Sequence, residues 1–91
     1  MTFSDALKMV RETDDNIFVI TGCLFEDKYY FVTVSGKEAY ESGDYVEAIC
    51  IVDPKDGSTT FDSLINICCL LGDEKSEDLI DAFNKSKQID S

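Results

Sequence analysis

Two runs of β-branched and aromatic residues within Asn16–Ser35, NIFVITGCLFEDKYYFVTVS, constrain this chain more than any other stretch. Val, Ile, Thr, Phe and Tyr suit a pleated, half-buried surface, and the polar Glu26-Asp27-Lys28 separates the two runs. The stretch therefore reads as a β-hairpin. The first strand, about Ile17–Phe25, is apolar on both alternations, with Ile17, Val19, Cys23 and Phe25 on one side and Phe18, Ile20 and Leu24 on the other. Such a strand sits centrally or beneath two covering layers. Gly22 interrupts it and marks a bulge or a close backbone approach. The second strand is about Tyr29–Val34. With Asp27-Lys28 as the turn, Phe25 faces Tyr30, Cys23 faces Val32 and Leu24 faces Phe31. The loop lacks the Asn-Gly chemistry that would fix this register.

The other elements cover or extend this hairpin. Thr2 and Asp5 have capping-box spacing. Phe3, Ala6, Leu7 and Val10 then recur as one face of a helix that Asp14-Asp15-Asn16 ends. Gly36–Asp44 is a polar connection with room for a helical turn around Glu38–Glu41. A third strand, about Tyr45–Val52, places Val46, Ala48, Cys50 and Val52 on one side and Ile49 and Ile51 on the other. Asp53-Pro54-Lys55-Asp56-Gly57 is the clearest turn signal, because proline presets φ and glycine supplies a positive φ. Ser58–Phe61 allows a short fourth strand. Leu64–Leu71 reads as a helix with Phe61, Leu64, Ile65 and Cys68 on one face and Gly72 as its stop; a buried strand is the rival reading. Ser76 caps a last helix with Leu79, Ile80 and Phe83 as its apolar edge. The predicted class is α+β: an N-terminal helix, a three- or four-stranded antiparallel sheet and two C-terminal helices, within one small domain over residues 1–91.

Composition narrows the chemistry. Nineteen acidic against eight basic residues give a formal charge of −11, spread along the whole chain. That field repels phosphate backbones and anionic lipid and favours basic partners, so direct nucleic-acid binding and membrane association are not expected. The stretch closest to a membrane span, the eight residues Leu64–Leu71, is far short of the ~20 residues that span a bilayer. No basic n-region precedes an apolar stretch, so the expected location is cytoplasmic. The chain holds no histidine, which excludes Ser-His-Asp and Cys-His triads and most mononuclear zinc hydrolases. Gly-rich phosphate loops are absent. The four cysteines, Cys23, Cys50, Cys68 and Cys69, lack CxxC spacing and read as reduced, buried residues that act as small hydrophobes. Cys68 and Cys69 point about 100° apart on a helix and have no nearby base or cation. Placing Gly57 at position 6 of a calcium loop puts Val52 and Pro54 at ligand positions, so the acidic turn is only a turn. No catalytic, metal or cofactor residue is assigned.

Tyr29, Tyr30, Tyr40 and Tyr45 cluster around the hairpin and the loop after it, beside Glu38, Glu41 and Asp44. Tyrosine offers a flat apolar body with a polar tip, so these seven residues are the candidate partner-binding set; the bland alternative is that the tyrosines cap the sheet edges. The helix SDALKMV, the hairpin FVITGCLFEDKYYFVTV and the strand-turn Val52-Asp53…Gly57 together resemble small bacterial α+β proteins, some of them immunity-type proteins of polymorphic toxin systems. The resemblance covers the first two thirds of the chain, is not shared by Leu64–Ile89, and transfers no functional residue. The expected function is a non-catalytic interaction domain that binds a protein partner, basic in character, or a second copy of itself. If helices cover only one face of the sheet, the other face requires such a partner. A cysteine- or carboxylate-based enzyme or metal protein is the competing class.

Overall fold

A computed structural model describes residues 1–90. The chain runs α1 (Phe3–Thr13), β1 (Phe18–Phe25), β2 (Lys28–Val34), α2 (Lys37–Ser42), β3 (Ala48–Asp53), β4 (Ser58–Asp62), α3 (Leu64–Leu71) and α4 (Asp73–Lys85). The four strands form one antiparallel meander in the order β1-β2-β3-β4, so the α+β class holds, with the fourth strand present.

Local chemistry starts α1 as its spacing predicts. The Thr2 side chain accepts from the Asp5 N–H and the Asp5 carboxylate accepts from the Thr2 N–H, a complete capping box. Ala6 and Val10 are fully buried, while Phe3 stays 36% exposed. The Asp53–Gly57 turn also forms. Gly57, at φ +71°, donates to the Asp53 carbonyl at 2.8 Å.

The hairpin is tighter than predicted. Its turn is Glu26-Asp27, with φ of 47° and 66°, so Phe25 pairs with Lys28, Leu24 with Tyr29 and Cys23 with Tyr30. This is the two-residue geometry, with both turn residues at positive φ, whose twist matches the right-handed twist of the paired strands. The predicted register is displaced by two residues, and a shift of two leaves Cys23, Leu24 and Phe25, next to the turn, on the faces predicted for them. Gly22 is the close approach rather than the bulge. A Cβ there would lie 2.5 Å from Cδ1 of fully buried Phe31, whereas the ladder slips between Val19 and Thr21. That slip reverses the faces of β1. Val19 packs with the α1 side, and Cys23 and Phe25 pack with the opposite side rather than alongside it.

Both faces of the sheet are closed by the chain itself. On one, Ala6 and Val10 of α1 meet Val19, Tyr29, Phe31, Cys50 and Val52. On the other, Ile67 of α3 and Leu79 and Phe83 of α4 meet Cys23, Tyr30, Val32 and Ile49. Neither face therefore calls for a partner. β1 lies at the sheet edge, not at its centre, and is buried by these two layers together with the C-terminal tail.

Other boundaries also differ from expectation. β3 begins at Ala48 rather than Tyr45, because its pairing with β2 stops at Thr33 and Ala48; Val46 is 90% exposed. α3 is a helix, but it buries Ile67, with Leu64 and Leu71 packed partly buried beside it, rather than Ile65, which is 76% exposed. Ser76 does not cap α4. Gly72, at φ +88°, ends α3 and starts α4 at Asp73, which places Ser76 inside the helix. There its hydroxyl lies 2.6 Å from the Gly72 carbonyl and 3.0 Å from that of Cys68, tying the two helices together.

Candidate functional site

The short helix α2 gathers most of the residues singled out from the sequence. Gly36 precedes it and Gly43, at φ +77°, turns the chain out of it, donating to the Tyr40 carbonyl. One and a half turns of helix would be marginal in isolation. What holds α2 in place is aromatic. The Tyr40 ring stacks on buried Phe18 of β1, with centroids 4.4 Å apart and an interplanar angle of 22°. Tyr45 then leans on Tyr40 at 5.5 Å, extending the stack outward. Gln88 Nε2 of the C-terminal tail donates to the Tyr40 hydroxyl at 3.3 Å.

Around this stack the surface is acidic. Glu38, Glu41 and Asp44 are exposed, while Tyr40 and Tyr45 are half-buried. Lys37 is the neighbouring cation, 3.8 Å from Glu41 in an exposed i,i+4 pair; such a pair is weak and leaves both groups solvated. A shallow concavity beside it is lined by Asp15, Asn16, Gly36, Lys37 and Glu38. The arrangement offers half-buried tyrosine rings and exposed carboxylates to a cationic side chain, the elements of cation–π and charge-assisted recognition.

Tyr29 and Tyr30 do not join this group. As neighbours on β2 they point to opposite faces, and both faces are covered, so only 7% and 5% of each is exposed. The Tyr29 hydroxyl donates to the Met1 carbonyl at 2.9 Å, and the Tyr30 ring meets Phe25 edge-on at 6.0 Å. Desolvation raises the Tyr30 hydroxyl's pKa above its ordinary value. These two rings fill the core and have no face to offer a partner.

The other candidate chemistries can be placed as well. Burial pushes the Cys23 thiol up to about 11 and the Cys50 thiol up to about 12, so both are neutral near pH 7. The prediction of four buried cysteines is corrected by α3, where Cys68 is half-buried and Cys69 is exposed. All four are free thiols. In the acidic turn, Asp53 accepts from the Lys55 N–H and Asp56 from the Ser58 N–H, at 2.9 and 2.8 Å. The Ser58 hydroxyl, together with the Ser58 N–H, lowers the Asp56 pKa, and both carboxylates are committed to the turn. Among the described residues, no group of three or more acidic or cysteine side chains is placed to hold a metal ion.

Two features went unread in the sequence. One is Phe18, the platform beneath Tyr40. The other is the outward side of α3, where Ile65 and Leu70 are 76% and 84% exposed. Its signal was available, because the segment from Ser63 to Gly72 contains no charged residue in a chain of charge −11. Comparisons of the chain with protein-family models, with curated proteins and with solved structures gave no match.

Proposed function

We propose that this chain is a non-catalytic protein-interaction domain that receives a basic segment of a protein partner on the α2 end of the molecule, in a cytoplasmic setting. The observation that carries this reading is the Phe18–Tyr40–Tyr45 stack rimmed by exposed Glu38, Glu41 and Asp44. Tyrosine is enriched at interfaces because it adds contact area at little entropic cost, and its ring face attracts Lys and Arg. The carboxylates would steer a cationic partner inward, an effect that acts mostly on the association rate and fades with salt.

The test is a comparative capture from lysate of the source cell, under reducing conditions, with the tagged native protein beside Glu38→Lys/Glu41→Lys/Asp44→Lys. The native protein is expected to retain a partner that elutes with salt, and the triple variant to lose it. Tyr45→Ala should weaken retention by about tenfold. Equal retention by native and triple-variant protein, or retention by neither, would overturn the assignment to α2.

A further inference from the structure

The two edges of the sheet are treated differently. Along β1 the chain's own tail closes the edge: Ile89 and Asp90 donate their N–H groups to the carbonyls of Ile20 and Val19 at 2.8 and 2.9 Å. The Asp90 carboxylate takes the Val19 N–H at 2.8 Å. Among the described residues, β4 has no strand on its outer side. Proteins protect such an edge with lysine, proline, a bulge or an inward charge. Ser58–Asp62, STTFD, carries none of these except Asp62 at its end, and its only other restraint is its short length. The Asp62 carboxylate is already engaged, accepting from the Ser63 N–H at 2.8 Å and from Asn66 Nδ2 at 3.0 Å.

We propose that a second copy of this chain occupies that edge, pairing antiparallel along β4 and continuing onto the exposed side of α3. The strand is self-complementary. Pairing about Thr60 sets Thr60 against its counterpart, Thr59 against Phe61 and Ser58 against Asp62, so no like charges meet. Cross-strand Thr–Thr and aromatic–β-branched pairs are among the favourable ones. Charge selects the location. Two molecules of net charge −11 repel one another over most of their surface, but from Gly57 to Gly72 the sole charged residue is Asp62. Apolar contact is available on both faces beside the strand: Phe61, paired with Cys50 on the α1 face, is 47% exposed, and Ile65 and Leu70 of α3, on the other face, are 76% and 84% exposed. Five residues of strand bury too little by themselves, since a stable interface needs roughly 1,000 Å² or more. The surface the proposal adds to the strand is the exposed apolar side chains of α3, which follows β4 with only Ser63 between them. This pairing is independent of the partner reading at α2.

Sedimentation velocity under reducing conditions, which removes any disulfide through Cys69, tests the proposal on four proteins. The native chain is expected at twice its 10.2 kDa mass. Thr60→Lys, which sets two lysines opposite each other, and Leu70→Glu, at an exposed position that the fold does not need, should each raise the dimer dissociation constant at least tenfold, the range of about 1.4 kcal/mol. Circular dichroism confirms that both variants stay folded. The Glu38→Lys/Glu41→Lys/Asp44→Lys protein should remain a dimer even if it loses its partner. A native chain that stays monomeric up to about 1 mM, or a dimer indifferent to both edge variants, would overturn the proposal.

Discussion

Asp90 shows how much one side chain holds in a small domain. Its two oxygens receive both terminal nitrogens of Arg11, at 2.8 and 3.1 Å, and one of them also takes the Val19 N–H. The pair thus joins α1, the bulge in β1 and the C-terminal tail. With 43% of Arg11 and 22% of Asp90 exposed, the arrangement is partly solvated. Asp90→Asn should cost about 1–2 kcal/mol in urea unfolding, the range of a bidentate, charge-assisted contact with some solvent screening. The Arg11 guanidinium holds the Asp90 carboxyl below the ordinary aspartate value, with the Val19 N–H adding to the effect. The stabilisation is therefore present above the unfolded value of about 3.9 and is lost as pH falls through the lower folded value. The gap between native protein and Asp90→Asn should close below about pH 4; a gap that persists at pH 2.5 would mean that packing, not charge, holds the tail. Gly22 makes a second residue-scale case. Its backbone lies so close to the buried Phe31 ring that Gly22→Ala should destabilise by about 1–3 kcal/mol through overpacking. A neutral result would mean that Phe31 has room to move.

Elements were legible in the sequence where their determinants are local. The Thr2–Asp5 box and the Asp53–Gly57 turn lie within a few residues of what they organise, and both formed as read. The hairpin register did not, because Glu26 and Asp27 adopt positive φ without the Asn-Gly signal that normally announces it. This makes the turn improvable. Glu26-Asp27→Asn-Gly should raise stability by about 1 kcal/mol by relieving two left-handed residues. It gives up the exposed Glu26–Lys75 pair at 3.0 Å, worth only a few tenths of a kcal/mol. A loss of stability in thermal unfolding would show that this bridge between hairpin and α4 outweighs the backbone strain. The buried face of α3 was illegible for another reason. In LINICCLL almost every position is apolar, so helical periodicity has no polar side against which to be read. The slip at Ile20 in β1 is likewise silent, since residues on both sides of it are apolar.

For the whole molecule, the consequential property is that helices close both sides of the sheet, and no single stretch of sequence contains it. The tyrosine candidates divide on this point. Tyr29 and Tyr30 are core residues because each face of β2 is covered, while Tyr40 and Tyr45 lie beyond the edge of that cover and stay half-exposed. A sheet with one bare face would have demanded a partner across it. A closed sheet confines recognition to the ends and edges, the acidic α2 end and the neutral β4 edge, which differ in chemistry. The four thiols report on this closure directly. Cys50 lies beneath α1 on one face, Cys23 beneath α3 and α4 on the other, and Cys69 stands in solvent. The decisive measurement is native-state thiol modification at neutral pH, with the modified sites mapped by mass spectrometry. Cys69 should react fastest and Cys68 more slowly, while Cys23 and Cys50 should react only after denaturant unfolds the chain. Rapid labelling of Cys50 or Cys23 in the native protein would contradict the account, and which of the two reacted would identify the open face.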